Sequence, residues 1–357
     1  MSPGMLKNNR GIAVLITLTI ITILVTVALE LNRKMRTAVV STAAGRDRVS
    51  LSSMASSGIH AAMAMLVRDK LNSNTDSVQE DWANPEKIDE LLRAIPFDAG
   101  RVTLKIIDEL GKVQVNALVK FPEGRDFNEP QRVLWERFAR FFLLLHESGD
   151  IVDPIAIIDS LKDWLDFGDD DAITGLSGAE SSYYQDLDPP YAIRNGPITH
   201  LGELLKVKGI TPDLFQDVQG VSGVSRYLTI YGMNVIIGNS FTYDGRININ
   251  TAELPVLASI MPDGHEGFAQ LIYQYREEKS DAKFVHDLQN PLWYKNVPGM
   301  TDITIDPRLI LTTSDIFRIE AVAELSDRQM TVSAVVQREK AKETNAWRCN
   351  ILSWEIK

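Results

Sequence analysis

The sequence predicts an α+β fold in which a long N-terminal helix packs on a small antiparallel sheet and a large all-α domain is inserted between the strands. Three observations lead to this prediction. The stretch from Gly11 to Leu29 carries no charged residue and runs into further helical spacing. Two zones of alternating apolar residues lie near residues 102–119 and 317–336. The long segment between these zones has the spacing of amphipathic helices.

Length and composition indicate a globular chain of two or three domains. The protein has 357 residues, of which 45% are hydrophobic and 24% are charged, and its formal net charge is −11. This length is enough to bury a sizeable core, and the composition excludes a chain that is disordered throughout. The acidic balance disfavours a protein whose main task is to coat nucleic acid or an anionic membrane. The single cysteine, Cys349, excludes an internal disulfide and a cysteine-based zinc site.

The apolar segment, continued to Leu31, reaches the roughly 20 residues that a helix needs to cross the hydrocarbon core of a bilayer. Lys7 and Arg10 precede it, so we expect the N-terminus in the cytoplasm and the bulk of the chain on the outer side of the membrane. Residues 12–31 are therefore predicted to be a single transmembrane helix. A removable secretory signal is the alternative, although its apolar region would be unusually long and the best small-residue cleavage site, at residues 41–45, lies far beyond its end.

Helical spacing continues past the apolar segment and predicts one helix of about 55–60 residues. No proline interrupts the chain from residue 7 to residue 84. Apolar residues recur on one face of the last third, which we expect to pack against the sheet or neighbouring helices. They are Leu51, Ala55, Ile59, Ala62 and Leu66.

The alternating zones predict the strands of the sheet. In the first zone, two alternating stretches are separated by a short polar turn, which is typical of a β-hairpin. Each zone is too small to bury its own faces, so we expect both to join one antiparallel sheet that packs on the long helix. The predicted strands cover residues 102–106, 113–119, 317–323, 330–336 and 347–356.

The middle of the chain is predicted to be helical. Helix starts are expected after Asn128, at Asp153–Pro154, at Thr211–Pro212 and at Asn250–Thr251, because polar capping residues precede apolar runs there. The resulting domains are the N-terminal segment 1–11, the transmembrane helix 12–31, the rest of the helix with the first strands at 32–120, the inserted α-helical domain at 121–312 and the last strands at 313–357.

A short basic leader that ends in glycine and runs directly into an apolar helix resembles the type IV pilins and the pseudopilins of type II secretion. The resemblance implies a type IV pilin-like fold, cleavage by a prepilin peptidase between Gly11 and Ile12, and N-methylation of Ile12. Most members carry a glutamate at the fifth mature position, where this sequence has Ile16. The K-type minor pseudopilins characteristically lack that glutamate and are larger than their relatives.

The resemblance to the K-type family covers nearly the whole chain, because several short motifs occur in the family's order. It implies a protein that caps the tip of the pseudopilus and helps to initiate its assembly for export across the outer membrane. It also implies a location in the inner membrane and assembly with the I-type and J-type minor pseudopilins and other pseudopilus subunits. The motifs are DWLD at 163–166, GAE at 178–180, PPY at 189–191, LLKVKGI at 204–210, NINTA at 248–252 and FRIE at 317–320.

An acidic loop is the clearest candidate binding site. Residues 148–190 hold eleven carboxylates and one lysine. Such dense carboxylates repel one another unless a cation neutralises them. Oxygen donors without nearby histidine or cysteine favour Ca²⁺, although the spacing does not match an EF-hand. A solvated loop without an ion is the alternative, but the K-type resemblance implies calcium in this kind of loop. The candidate ligands are Asp166, Asp169, Asp171 and Glu180.

No catalytic motif is present: HExxH, P-loop and GxSxG patterns are missing and the five histidines are scattered. We therefore expect no enzyme activity. A different class of function, a membrane-tethered DNA-uptake receptor, is the alternative, because residues 205–211 and 248–260 resemble helix-hairpin-helix modules that bind phosphate through turn amides. Asp263 stands where the phosphate would bind, so we expect no nucleic-acid partner. An anchored periplasmic scaffold that is not cleaved at Gly11 is a third possibility.

Overall fold

The computed structural model describes residues 10–145, 153–168, 172–218, 220–236, 238 and 240–357. Helices and strands alternate irregularly along the described chain. The α-helices are α1 (Arg10–Asn72), α2 (Pro85–Arg93), α3 (Glu129–Leu145), α4 (Pro154–Leu165), α5 (Ser181–Gln185), α6 (Pro212–Phe215), α7 (Leu254–Ile260) and α8 (Phe268–Glu277). The strands are β1 (Arg101–Asp108), β2 (Val113–Gln114), β3 (Leu228–Thr229), β4 (Met233–Val235), β5 (Phe241–Tyr243), β6 (Ile247–Asn248), β7 (Lys279–Ser280), β8 (Lys283–Phe284), β9 (Ile310–Leu311), β10 (Ile316–Leu325), β11 (Arg328–Lys340) and β12 (Trp347–Ile356).

Helix α1 is a single helix of 63 residues, which confirms the predicted long helix. At 1.5 Å per residue it is about 95 Å long. Residues 11–42 are exposed along its whole surface, whereas the predicted apolar face is buried in the last third. Each of the five residues predicted on that face, from Leu51 to Leu66, is at most 3% exposed. The helix thus has a free half and a packed half.

The packed half of α1 lies on a four-stranded antiparallel sheet in the order β1-β10-β11-β12. Asp108 of β1 lies opposite Phe317 of β10, and Val336 of β11 lies opposite Ile351 of β12. The last three predicted strands are therefore confirmed, and so is the antiparallel sheet on the long helix, except for its predicted strand at 113–119. Alternate residues of the sheet are buried against the helix, as expected for a sheet with one covered face. On β10 and β11 they are Phe317, Ile319, Ala321, Ala323, Met330, Val332, Ala334 and Val336.

Gly58 sets how closely α1 approaches the sheet. A Cβ atom at this position would lie 3.0 Å from Val102 Cγ1 and 3.2 Å from Leu104 Cδ2. We expect Gly58→Leu to lower the free energy of unfolding by about 1–3 kcal/mol, because extra methyl groups would overpack the interface. Gly45 lies on the same helix with nothing within 4 Å of its Cβ position, so Gly45→Leu serves as the control. Urea unfolding of both variants checks this expectation, which equal losses would contradict.

The hairpin predicted in the first alternating zone is wrong in its second strand. Strand β1 forms as expected, but it pairs with β10. Residues Val113–Gln114 pair in parallel with β3, and Val115–Leu118 form a 3-10 turn. The apolar residues of 113–119 pack into a core of the central region, residues 113–312. Their alternation reflects burial in that core. The hairpin prediction failed because period-two spacing does not reveal which partner a strand will have.

The central region has its own apolar core, separate from that of the helix–sheet unit formed by α1 and the four-stranded sheet. The helix starts predicted at Asp153–Pro154 and Thr211–Pro212 are confirmed, since Asp153 Oδ1 accepts from the N–H of Ile155 at 3.0 Å and Thr211 Oγ1 accepts from the N–H of Leu214 at 3.3 Å. The region is not all-α as predicted. Its described part contains four two-stranded pairs, β2-β3, β4-β5, β6-β9 and β7-β8. Strands of two or three residues are too short to leave an alternating pattern.

The NINTA motif docks the central region onto the helix–sheet unit. Asn248 Nδ2 donates to Asp108 Oδ2 at 2.8 Å and to the carbonyl of Asp76 at 3.0 Å. The hydroxyl of Thr251 donates to the same Asp108 oxygen at 2.7 Å. Asn250 Oδ1 accepts from the indole of Trp293 at 2.7 Å inside the central region. These buried amides therefore connect the two units, which explains the motif as structural.

Candidate functional site

Helix α4 presents the acidic residues of the candidate site. Its inner face is anchored by Trp164, which is 2% exposed and donates from Nε1 to Glu203 Oε1 at 3.1 Å. Asp159 and Asp163 lie one turn apart on this helix, and Asp166 follows directly after its last residue. Burial raises the pKa of Asp159, and the neighbouring Asp163 and Asp153 carboxylates add to this rise while Arg132 opposes it. The helix thus concentrates negative charge at its C-terminal half.

Three carboxylates converge where α4 meets the segment before α5. Asp163, Asp166 and Glu180 each offer one oxygen, and these oxygens all lie within 4.8 Å of one another. All three residues are buried, with exposures of 0%, 8% and 1%. Of the predicted ligands, the structure brings Asp166 and Glu180 together. Asp169 and Asp171 lie outside the described residues, so their part in the site stays a prediction.

Asp163 is the ligand candidate that sequence reasoning missed. Asp163 belongs to the acidic stretch 148–190 and to the DWLD motif, but it was not among the predicted ligands. The available signal was its spacing of three residues from Asp166, which puts two carboxylates near each other at a helix end. Its burial depends on the position of Trp164 in the core, which the sequence alone does not give.

Asp163 also organises the loop that covers the site. Its carboxylate accepts from the N–H of Thr174 at 3.1 Å and from the N–H of Ala179 at 2.8 Å. A Cβ atom at Gly178 would lie 2.1 Å from Asp163 Oδ2, so glycine is required there. Lys208 Nζ donates to the carbonyls of Ser177 at 3.0 Å and Gly178 at 3.3 Å. The loop is therefore folded over the carboxylates by contacts from two sides.

The donor set fits a hard divalent cation. It consists of carboxylate oxygens, which are the ligands that such cations prefer. The three candidate ligand residues are removed from bulk water, and a buried charge that is not compensated is costly. An ammonium group lies beside them, because Lys162 Nζ is 2.6 Å from Asp166 Oδ2. Within the described residues, the arrangement can hold an oxygen-liganded ion with protein on several sides.

A second acidic group, Asp69, Asp76 and Glu80, lies where α1 ends and has a different character. Arg338 of β11 lies in this group with a fully buried side chain. Its guanidinium donates to Asp76, to Asp69 Oδ2 at 3.3 Å and to the carbonyl of Leu66 at 3.1 Å. Asp69 and Asp76 therefore already have a protein cation, and Glu80 Oε2 accepts from the indole of Trp82 at 2.9 Å. This group, together with Arg338, is the junction network and acts as a structural connection.

Glu109, next to the docking residue Asp108, forms a further buried ion cluster. Glu109 Oε1 accepts from Lys112 Nζ and from Arg318 Nε, each at 2.7 Å, and Oε2 accepts from the hydroxyl of Thr229 at 2.6 Å. Burial alone raises the pKa of Glu109, but Lys112 and Arg318 outweigh it and lower that pKa to about 2. The cluster joins β10 to strand β3 of the central region.

We expect Glu109 to make the stability depend on pH at the acid end. Its pKa is lower in the folded protein, so its contribution is present above pH 4.5 and is lost as the pH falls toward 2. The loss amounts to roughly 3 kcal/mol in the free energy of unfolding. Glu109→Gln should flatten this limb in urea unfolding at several pH values. Glu86→Gln, which removes an exposed glutamate of α2, is the control, and equal flattening by both variants would contradict the prediction.

The free half of α1 has the character of a membrane-spanning helix. Its apolar window has a mean hydropathy of 2.8, and none of that window is buried within the protein. The hydroxyls of Thr19, Thr22 and Thr26 each donate to the backbone carbonyl four residues earlier at 2.8 Å. These side chains are therefore satisfied within the helix, as a hydrocarbon environment requires. The segment fits a single-pass anchor.

Comparison with known proteins gives consistent matches. Residues 111–221 match the family model described as type II secretion system (T2SS), protein K. The type II secretion system protein K of Aeromonas hydrophila is 21% identical over 343 residues, which cover 94% of this chain and 94% of that protein. The protein K of Pectobacterium carotovorum is 29% identical over 215 residues, which cover 59% of this chain and 62% of the relative.

The fold also matches a solved structure. A chain in the crystal structure of the GspK-GspI-GspJ complex from the enterotoxigenic Escherichia coli type 2 secretion system superposes with a TM-score of 0.60 and 15% identity. The match covers 88% of this chain and 99% of that chain. Nothing in these comparisons supports the DNA-uptake alternative, and Asp263 is engaged by Arg137 at 2.8 Å. In sequence and in fold the chain is thus similar to type II secretion system protein K, with the family model matching residues 111–221 and the Aeromonas hydrophila relative aligned over 94% of the chain.

Proposed function

We propose that the chain forms the tip of the type II secretion pseudopilus, where it caps the filament and helps to initiate its assembly for protein export across the outer membrane. In this proposal the helix–sheet unit is a pilin-like body and the central region is a domain inserted between β1 and β10. The role is structural and involves no catalysis. The free half of α1 and the arrangement of the sheet around its packed half support this division.

Ile16 is the observation that carries the tip position. It is the fifth residue after Gly11, where most pseudopilins have a glutamate that is thought to pair with the N-terminal amine of a neighbouring subunit. An unpaired carboxylate at the centre of a membrane helix costs several kcal/mol. A subunit with no neighbour above it has no partner for this glutamate, and the isoleucine side chain, 54% exposed on the helix surface, suits lipid.

The bulk of the central region also supports a capping role. It joins the body at the end of α1 that lies away from the apolar segment, through Asp76 and Asp108. A subunit that tried to stack above this one would meet the central region instead of an open helix end. The region therefore suits the last position of a filament and not a position along its shaft.

We expect the chain to assemble with the I-type and J-type minor pseudopilins and, below them, other pseudopilus subunits. The similar chain in the solved structure comes from a complex of this composition. Photocrosslinkers at Val39, on the exposed half of α1, should give adducts with those partners. Crosslinkers at Leu176, which is 98% exposed in the central region, should give none with a second copy of this chain. Adducts between stacked copies would refute the tip position.

Processing is expected between Gly11 and Ile12, by a prepilin peptidase, with methylation of the new N-terminus. Both residues lie in α1 and are exposed, with nothing within 4 Å of the Cβ position of Gly11. The anchor would then span the inner membrane, with the N-terminus cytoplasmic and the bulk periplasmic. N-terminal sequencing of the mature protein should begin at Ile12, and Gly11→Val should leave the chain uncut. A native protein that retains its first eleven residues would contradict the proposal.

Calcium is the proposed ion of the acidic site. Asp163, Asp166 and Glu180 would hold it, with further ligands expected from Asp169 and Asp171. The ion would supply positive charge that fixes the loop before α5 against helix α4. Asp163 of α4 already contacts this loop, because it accepts from the N–H groups of Thr174 and Ala179. Calorimetric titration of the full chain in detergent with Ca²⁺ tests this proposal, and no heat together with no rise in melting temperature would exclude the ion.

A further inference from the structure

We infer that Lys162 is a built-in competitor of the cation at the acidic site and weakens its binding. Its ammonium neutralises Asp166 in the metal-free protein and opposes the approach of a divalent ion. This inference rests on the proposed calcium function and adds a residue that sets the affinity of that site. It concerns a contact within α4 and the residue that follows this helix.

The geometry places the lysine against one candidate ligand. Lys162 and Asp166 are separated by one helical turn, and Nζ lies 2.6 Å from Oδ2. The two side chains are 15% and 12% exposed, so the pair is largely shielded from water. Asp166 belongs to the three carboxylates whose oxygens lie within 4.8 Å of one another. The ammonium is therefore in contact with the set that would hold the ion.

The other nearby lysine has a different role. Lys208 Nζ donates to the backbone carbonyls of Ser177 and Gly178, so it holds the covering loop by neutral acceptors. Asp163 accepts from backbone N–H groups of Thr174 and Ala179, which also carry no net charge. Among the contacts described for these residues, Lys162 is thus the cation that directly balances a candidate ligand.

The charges predict how the lysine acts on binding. A divalent ion that binds Asp166 comes close to a positive ammonium in a site with little water, where repulsion is strong and weakly screened by salt. The ion must either tolerate this repulsion or displace the ammonium, and the flexible four-carbon stem of lysine allows displacement. In either case the ammonium of Lys162 partly neutralises the carboxylates, and the electrostatic free energy that the ion gains on binding is smaller.

Removal of the ammonium should therefore have opposite effects with and without the ion. We expect Lys162→Met in the full chain to bind Ca²⁺ about tenfold more tightly in calorimetric titration. In chelator the same variant should melt at a lower temperature than the unsubstituted chain, because the carboxylates lose their counter-charge. In saturating Ca²⁺ this difference should disappear or reverse. Lys162→Arg keeps the charge and should keep the weaker affinity.

Lys206→Met is the matched control, because Lys206 is an exposed lysine of the same region and the substitution removes the same charge. If Lys162→Met and Lys206→Met change the affinity equally, or if Lys162→Met weakens binding, the competitor role is refuted while the calcium site stands. If neither the unsubstituted chain nor any variant binds Ca²⁺, both the calcium site and the competitor role are refuted. The inference is supported if Lys162→Met binds Ca²⁺ more tightly than the unsubstituted chain while Lys206→Met does not.

Discussion

Arg338→Met is expected to lower the free energy of unfolding by about 3–5 kcal/mol, because it removes the cation from a buried ion network. The side chains of Arg338 and Asp76 are both 0% exposed. Without the guanidinium, the Asp76 carboxylate would stay buried with the ammonium of Lys70 at 3.4 Å and the neutral N–H of Ser314 at 2.8 Å. The cation–π contact of Arg338 with Phe317, in which Cζ lies 4.6 Å from the ring centroid, would also be lost. Urea unfolding of the full chain in detergent, followed by tryptophan fluorescence, measures this effect.

An exposed arginine of the neighbouring strand provides the control. Arg348 Nη2 lies 2.6 Å from Glu339 Oε1, but the arginine side chain is 61% exposed. Arg348→Met should therefore cost less than about 1 kcal/mol. Adding Asp76→Asn to Arg338→Met should recover part of the loss, since the unpaired charge is removed as well. Equal losses for the two arginine variants would show that the junction network contributes no special stability.

Asp163→Asn is expected to reduce the affinity for Ca²⁺ by on the order of a hundredfold or more, since affinity at oxygen-ligand sites follows the number of charged ligands. At a Ca²⁺ concentration one hundred times the dissociation constant of the unsubstituted chain, binding should stabilise that chain by about 2.7 kcal/mol. The variant should gain less than about 0.5 kcal/mol at the same concentration. Unfolding in chelator and in Ca²⁺ measures both gains. Asparagine has nearly the same shape and keeps one oxygen acceptor for the loop N–H groups.

Asp186→Asn is the control for this prediction, because Asp186 is an exposed carboxylate of the same region and loses the same charge. Its calcium-dependent gain should equal that of the unsubstituted chain. If Asp163→Asn retains the full gain, Asp163 is not a ligand and the three converging carboxylates do not form the site. A full gain in Asp163→Asn would leave the ion to the other candidate ligands.

Much of the helix–sheet unit could be predicted because its patterns are long and regular. The apolar run of α1, the alternation of β10 and β11, and the final strand β12 each extend over ten residues or more. The error lay in residues 113–119, of which Val113–Gln114 pair with β3, more than 100 residues away in the chain, and Val115–Leu118 form a 3-10 turn. Pairing between distant segments is decided by tertiary packing, which a periodic pattern does not encode.

The candidate site could be predicted only as a region. The charge density of residues 148–190 indicated a cation. The structure brings two of the predicted ligands, Asp166 and Glu180, together, and their role as ligands stays a prediction. Asp163 was missed, although its spacing of three residues from Asp166 was available as a signal, because Trp164 and the loop at Gly178 fix its position only in the folded chain. The junction network was also missed, since Asp76 and Arg338 are 262 residues apart and lie in segments without a shared motif.

The strand order of the sheet has a consequence for biogenesis. Strand β1 is an edge strand whose neighbour is β10, and Glu109 and Arg318 at their junction are 209 residues apart in the chain. During synthesis β1 therefore leaves the ribosome long before its neighbour. The unpaired backbone of β1 and the apolar face of α1 stay uncovered until β10 has been synthesised. Such slow pairing of distant segments exposes a nascent chain to aggregation.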